Sequence, residues 1–359
     1  MLIYTVNMPI KYFRTLFFLW LFLFATISMY GQHSEPGEAS KKTIQEYILG
    51  SHSSAQNWLE KNKVPAIGIV IIKEGQVVKK EVFGNLKKGK PAPENTIFNV
   101  ASLTKPIVTL LTLKLVSHGS WSLDEPIYHY WVDPDVAHDS LNKKLTTRHI
   151  LTHQTGFTNW RKNHQSGKLT FDFEPGSRYQ YSGEGFEYLR KALESKFAMS
   201  LENLADSLVF RPLNMKDSYF TWKDDSLSSR YAVNHDKDGI ALETFKPKAA
   251  NAANNLLTTI EDYANFVLHV LDGGGLSPTV FQEMKSRQVK TPYESYFGLG
   301  WEIIPDWGGE EVLMHSGGNP GVSTLAMLFP KTKRGLLIFS NSNNGGFPVW
   351  REIINQSLD

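Results

Sequence analysis

Ser102 and Lys105 stand three residues apart in Ala101-Ser102-Leu103-Thr104-Lys105-Pro106, directly before the apolar run IVTLLTLKLV. On a helix, residues three apart share a face, so the amine lies about one turn from the hydroxyl. A serine hydroxyl is a weak nucleophile at neutral pH and needs a base or cation beside it. Lys105 can supply either. The helix N-terminus adds positive potential and free N–H groups, and Pro106 is tolerated within the first turn. The spacing points to nucleophilic acyl transfer. The local alternative is a helix N-cap at Ser102 with Lys105 in water. A second Ser-x-x-Lys, Ser140–Lys143, sits in a polar stretch with no apolar helix behind it and reads as a solvated loop.

Two distant segments carry compatible chemistry. In Glu174-Pro175-Gly176-Ser177-Arg178-Tyr179-Gln180-Tyr181-Ser182-Gly183, a Pro-Gly turn leads to Tyr181 just before a Gly-rich helix start. Beside a cationic Lys, a phenol pKa falls and the oxygen can accept a proton. As a bland alternative, Tyr181 packs near a turn. In Met314-His315-Ser316-Gly317-Gly318-Asn319-Pro320-Gly321, a polar, glycine-rich patch interrupts two apolar strands. Glycines let substrate approach the strand backbone, and an N–H there could complete an oxyanion hole with that of Ser102. A β-bulge or ordinary turn explains the same residues.

Composition narrows the classes. The chain has 359 residues, 41% of them hydrophobic and 21% charged, an ordinary globular balance with ample length for a core. It has no cysteine, which excludes disulfides, thiol catalysis, Cys-ligated metals and lipid-modified cysteine. Net charge is +2 and there is no basic stripe with interleaved aromatics, so no nucleic-acid partner is expected. His149 and His153 have the i, i+4 spacing of a zinc helix, but the Glu of HExxH and a third ligand are missing. No metal and no organic cofactor are expected. There is no G-x-S-x-G elbow, P-loop or dinucleotide fingerprint. Trp160, Trp301 and Trp307 read equally as cleft lining or packing.

These groups need a scaffold that brings them together. Val64–Lys73 and Gln76–Phe83 read as a hairpin turning at Glu74-Gly75. A second strand group comprises Tyr296–Ile304, Glu311–Met314, Val322–Phe329 and Gly335–Ser340. Helical patterns cover Lys41–Lys63, Ser102–His118, Thr147–Thr152, Phe186–Phe197, Leu201–Leu208, Thr258–Leu271, Thr279–Ser286 and Phe347–Leu358. Hairpins imply antiparallel pairing. The expected class is α/β in the broad sense (α+β). One antiparallel sheet is built from both chain ends, about 64–100 and 290–346, with a mainly helical insert at about 103–289 and helices at each end. A cleft should form where the two strand groups meet the insert.

The first residues read as an address. Lys11 and Arg14 precede the apolar run Leu16–Ile27, and small residues follow to Gly31. This is the pattern of a signal peptide over 1–31, followed by a linker at 32–40. The run is shorter than the ~20 residues of a spanning helix. The expectation is export to the periplasm or medium, with membrane attachment only if the segment is retained.

In order and spacing, Ser102–Lys105, Tyr181-Ser182-Gly183 and His315-Ser316-Gly317 resemble the three motifs of the serine β-lactamase and penicillin-binding-protein superfamily. The nearest branch is the class C β-lactamase-like group, which includes D,D-carboxypeptidases, D-aminopeptidases and esterases. FNVASLTK, LTTRHILTHQTGF, FEPGSRYQYSGEGFEYL, NAANNLLTTIEDYANFV, YFGLGW and HSGGNPG resemble that branch too, over roughly 41–359. The resemblance implies a β-lactamase-like fold and an acyl-enzyme on Ser102. It makes Lys105 and Tyr181 the proton-handling groups, with Tyr181 the base for deacylation. It assigns the oxyanion hole to the N–H groups of Ser102 and Gly318, and substrate contacts to His315, Ser316 and Gly317.

Two positions depart from the pattern. The second motif usually ends in Asn, where this chain has Gly183. The third often begins with Lys, where this chain has His315, whose neutral ring attracts a carboxylate less. Both shift the expected activity from β-lactam hydrolysis towards another ester or peptide amide. The alternatives are a β-lactamase or D,D-carboxypeptidase proper, and a non-hydrolysing penicillin-recognising binder or sensor. If His315 reads a substrate carboxylate, anionic substrates should gain at acidic pH, near the ring's ordinary pKa of ~6.5.

Overall fold

The computed structural model describes residues 52–357; the expected export segment, the linker and the first part of the Lys41–Lys63 helical pattern lie outside the described residues. The β-branched run AIGIVIIK forms strand β1, Ala66–Lys73, buried at every position but the last. Such a strand carries no polar alternation because both of its faces are covered. Glu74 and Gly75 take φ of 51° and 75°, the double positive φ of a tight hairpin turn, and lead into β2, Gln76–Lys87.

The remaining strands are β3 (Lys90–Pro91), β4 (Phe98–Asn99), β5 (Leu257–Thr258), β6 (Val289–Lys290), β7 (Tyr296–Phe297), β8 (Glu302–Trp307), β9 (Glu310–Asn319), β10 (Val322–Phe329) and β11 (Arg334–Ser340). Of the eleven described strands, nine form one sheet in the order β3-β2-β1-β11-β10-β9-β8-β7-β6, antiparallel throughout. Both chain ends thus meet at the β1–β11 pair, where Ile67 faces Ser340 and Ile72 faces Gly335. Strands β4 and β5 form a separate two-stranded sheet, so the segment 98–99 leaves the large sheet that the sequence had assigned it to.

Side chains alternate between the sheet's two faces with period two. Ile67, Ile69 and Ile71 of β1, with Leu336 and Ile338 of β11, pack under the terminal helices α1 (His52–Asn62) and, at the chain's other end, Phe347–Ser357. Val70 and Ile72, with Leu337 and Phe339, face the larger core of the helical region. Gly68 marks a close approach on that side: a Cβ there would come within 2.5 Å of Ile260 Cγ2.

The inserted region holds α2 (Thr104–Ser117), α3 (Thr147–Leu151), α4 (Gly183–Phe197), α5 (Leu201–Ala205), α6 (Ile260–Leu271) and α7 (Pro278–Met284); the C-terminal helix at Phe347–Ser357 is α8. Helix α2 is buried almost all round and acts as the central post. Helix α4 starts three residues earlier than the apolar pattern suggested, because Ser182 caps it by accepting from Gly185 N–H at 3.1 Å. The glycine patch at 315–319 does not interrupt the strands: it continues β9 in register with β10, and the turn falls only at Pro320-Gly321. The expected strand at Tyr296–Ile304 is broken between β7 and β8, where Gly300 takes a φ of 75°.

Candidate active site

Ser102 lies in a single 3-10 turn, Ala101–Leu103, that runs into α2. Ala101 before it has a φ of 48°, in the left-handed region that costs an L-residue about 1–2 kcal/mol. Such a strained position persists when its surroundings over-determine it. Asn99 Oδ1 accepts the Ala101 N–H at 2.9 Å, and Thr104 Oγ donates to Ala101 O at 2.6 Å. From β9, Gly317 presses on the turn: a Cβ there would lie 2.4 Å from Val100 O and 3.1 Å from Ser102 N. Only glycine lets strand and the Ser102 turn come this close.

Lys105 is one helical turn on and has no exposure to solvent. Its Nζ donates to Ser102 Oγ at 3.0 Å and to the Ala253 carbonyl at 2.9 Å. Burial holds its pKa down to about 7, while the charge of Glu187 on α4 pulls the other way. An ammonium is expensive to bury, so the amine is poised near neutrality as a base. Ala253 belongs to NAANN, a loop pinned on several sides. Glu187 accepts Ala252 N–H at 2.6 Å, Leu256 N–H donates to Thr104 Oγ at 3.1 Å, and the amides of Asn254 and Asn319 exchange hydrogen bonds. The sequence had marked this block as part of the resemblance without assigning it the lysine.

Tyr181 is brought to the same point from the far side. Lys105 Nζ lies 4.7 Å from the centre of its ring, and the Ser102 hydroxyl lies close enough to oppose part of the shift in its acidity. The expected lowering of the phenol does not occur. Burial raises its pKa above the ordinary value, and the contact with Ser102 offsets only part of that rise. Tyr181 is neutral in the resting site, and Lys105 is the better base.

His315 sits on β9, buried, with its Nδ1 2.9 Å from the Ser316 carbonyl. Burial, and then the charge of Lys105, depress its pKa to about 3. The reading that this ring gains charge near pH 6.5 is therefore corrected: it stays neutral there. Ser316, Gly317 and Gly318 run along β9 opposite Leu325, Thr324 and Ser323 of β10.

Position Gly183, where the family pattern has Asn, is filled from outside. A Cβ there would meet Trp160 at 2.8 Å and the Asn159 carbonyl at 3.1 Å, and Asn159 Oδ1 accepts the Gly183 N–H at 2.8 Å. Of the three tryptophans, Trp160 borders the site, Trp301 is core and stacks on Phe266, and Trp307 packs on the sheet's other face.

Sequence reasoning missed His153, set aside as half of a failed zinc pattern. It follows α3 with a φ of 56°, and its ring lies 4.2 Å from that of Tyr181. Among the described residues no group of three or more acidic, His or Cys side chains could hold a metal, and no helix is long and apolar enough to cross a membrane. Ser140–Lys143 lies in a separate 3-10 turn, Ser140–Lys144, largely exposed.

The family model described as Beta-lactamase matches residues 53–356. "Protein flp" of Staphylococcus aureus (strain MW2) is 22% identical over 84% of this chain, which spans 64% of that protein's length. Esterase EstB of Burkholderia gladioli is 29% identical over 45% of this chain and 48% of its own. In structure, the octameric penicillin-binding protein homologue from Pyrococcus abyssi superposes with a TM-score of 0.72 at 24% identity, covering 89% of this chain and 77% of that one. The chain belongs to the beta-lactamase family, within the serine β-lactamase and penicillin-binding-protein superfamily.

Proposed function

We propose that the protein is an exported serine hydrolase that cleaves an ester or peptide amide through an acyl-enzyme on Ser102. The observation that carries this reading is the 3.0 Å hydrogen bond between Ser102 Oγ and a buried Lys105 amine with a pKa of about 7. A base poised near the working pH is the effective one. Ser102 Oγ attacks the carbonyl carbon and its proton passes to Lys105 Nζ. The N–H groups of Ser102 and Gly318 receive the oxyanion. The leaving group takes a proton from the Tyr181 hydroxyl, which Lys105 replenishes. Water then repeats the sequence against the acyl carbonyl and frees Ser102. Localisation rests on the 1–31 pattern alone.

Substrate class follows from missing charge. His315 is neutral, Lys105 is only partly charged at neutral pH and already bonded to Ser102 and Ala253, and Trp160 fills the space beside Gly183. That site has little to offer the carboxylate of a β-lactam or a D-Ala-D-Ala stem, and it favours uncharged esters or amides. The partial relative EstB is described as an esterase, in keeping with this. The test is fluorophosphonate labelling, followed by turnover of an acetyl ester, a D-Ala-D-Ala peptide, a D-aminoacyl amide and a cephalosporin by wild type and Ser102→Ala. The ester should turn over fastest and only with Ser102 present. Absence of any adduct on folded protein overturns the hydrolase. A persistent penicillin adduct without turnover of any substrate supports a binder instead.

A further inference from the structure

His153 brackets Tyr181. Its carbonyl accepts the Gln180 N–H at 2.7 Å, its Nδ1 accepts the Ser182 N–H at 3.1 Å, and its ring lies at 33° to the phenol ring between those two bonds. The left-handed backbone at His153, a conformation usually left to glycine or asparagine after a helix, turns the ring inward.

These bonds fix the ring's protons. A backbone N–H can only donate, so Nδ1 of His153 is bare and Nε2 carries the hydrogen. The reverse holds for His315: the Ser316 carbonyl can only accept, so Nδ1 carries the hydrogen and Nε2 offers a lone pair. Both Nε2 atoms are buried and neither has a hydrogen-bond partner among the described residues. The two rings flank the same pair of aromatics. Tyr181 lies 4.2 Å from His153 and 6.4 Å from His315, and Phe297 lies 4.7 Å and 6.4 Å away. One orphan is a donor, the other an acceptor, and buried polar groups are rarely left unpaired.

We propose that His153 is a positioning residue. Its Nε2–H donates to Nε2 of His315 through one buried water, closing a chain from the Ser182 N–H to the Ser316 carbonyl. The chain ties the start of α4 to β9 and holds the Tyr181 hydroxyl at Ser102. It also fixes His315 in the Nδ1–H tautomer. The proposal rests on the hydrolase reading for its consequence and on geometry alone for the pair itself.

The pair is tested without substrate, so its failure is separable from failure of the hydrolase. In the full chain with ¹⁵N-histidine, assigned through Cβ correlations, His153 should show a protonated Nε2 and His315 a protonated Nδ1. His315→Phe should shift the His153 Nε2–H resonance upfield. A protonated Nε2 on His315 in the wild type overturns the pair, whether or not any variant folds. So does an unmoved His153 signal in folded His315→Phe. For positioning, His153→Phe should lower kcat on an acetyl ester by about tenfold while KM stays within about twofold, the size of one lost hydrogen bond. His153→Gln, which keeps a donor, should recover part of that loss. Equal kcat in wild type and folded His153→Phe overturns the positioning role.

Discussion

Lys105 and Ser102 share a 3.0 Å hydrogen bond in which the amine has no contact with solvent. The lysine is thus both the nearest base to Ser102 and a base made weak enough to exchange protons near neutrality. That relationship sets the first expected behaviour. With Lys105 titrating near 7, kcat/KM for an uncharged ester should rise through about pH 7 as the amine loses its proton, then level off. The phenol is displaced upward and adds no falling limb in the neutral range. Lys105→Met should flatten the profile and lower kcat/KM by about 10²- to 10⁴-fold. A pH–rate series on both proteins checks it, and an unchanged midpoint in the variant refutes the assignment.

His315 stays neutral through the physiological range because burial outweighs every favourable contact of its charged form. The ratio of kcat/KM for an anionic ester to that for a neutral ester should therefore be flat from about pH 5 to pH 8. A rise of that ratio on acidification, absent in His315→Gln, shows a charged ring instead.

The same residue carries an acid penalty. Its folded pKa, about 3, lies below the ordinary 6.5, so between those values the unfolded chain binds a proton that the native state does not. This contribution to stability is complete above about pH 6.5 and is lost as pH falls towards 3. His153, also depressed by burial, acts in the same direction. His315→Gln should show a shallower loss of melting temperature on acidification than wild type, read by thermal melts across that window.

Gly183 and Trp160 exclude a family-type asparagine. In Gly183→Asn the new Cβ meets the indole at 2.8 Å, and overpacking of this kind costs about 1–3 kcal/mol. The single variant should melt lower and gain no cephalosporin turnover. Trp160→Ala should relieve the clash in a double variant, and a double-mutant cycle on melting temperature reads the coupling. Additive effects of the two changes would mean they do not meet.

Asn99 holds the strained residue before Ser102. Asn99→Ala removes the acceptor of the Ala101 N–H and an amide contact to Asn319. The buried N–H left behind should cost about 1–3 kcal/mol of stability. Fluorophosphonate labelling of Ser102 should slow more than the folded fraction explains.

The primary structure alone determined the sheet from both ends and the buried helix behind Ser102, while the meeting of three distant motifs was implied only by the resemblance. The sheet and the helix rest on local chemistry: period-two and period-3.6 patterning, glycine turns and residue types at short spacing. Strand ends were less legible, as at β7 and β8, where the positive φ of Gly300 breaks an apolar run. The proton states were decided only by tertiary structure. Desolvation depends on what other segments bring: Ala253 to Lys105, β9 to the Ser102 turn, Trp160 to Gly183. His153 was legible only as half of a failed zinc pattern and as part of a block of the resemblance, because the role proposed for it comes from a left-handed backbone and from partners near 180. Sequence names the groups that can react, while burial, set by the whole fold, decides which of them holds the proton.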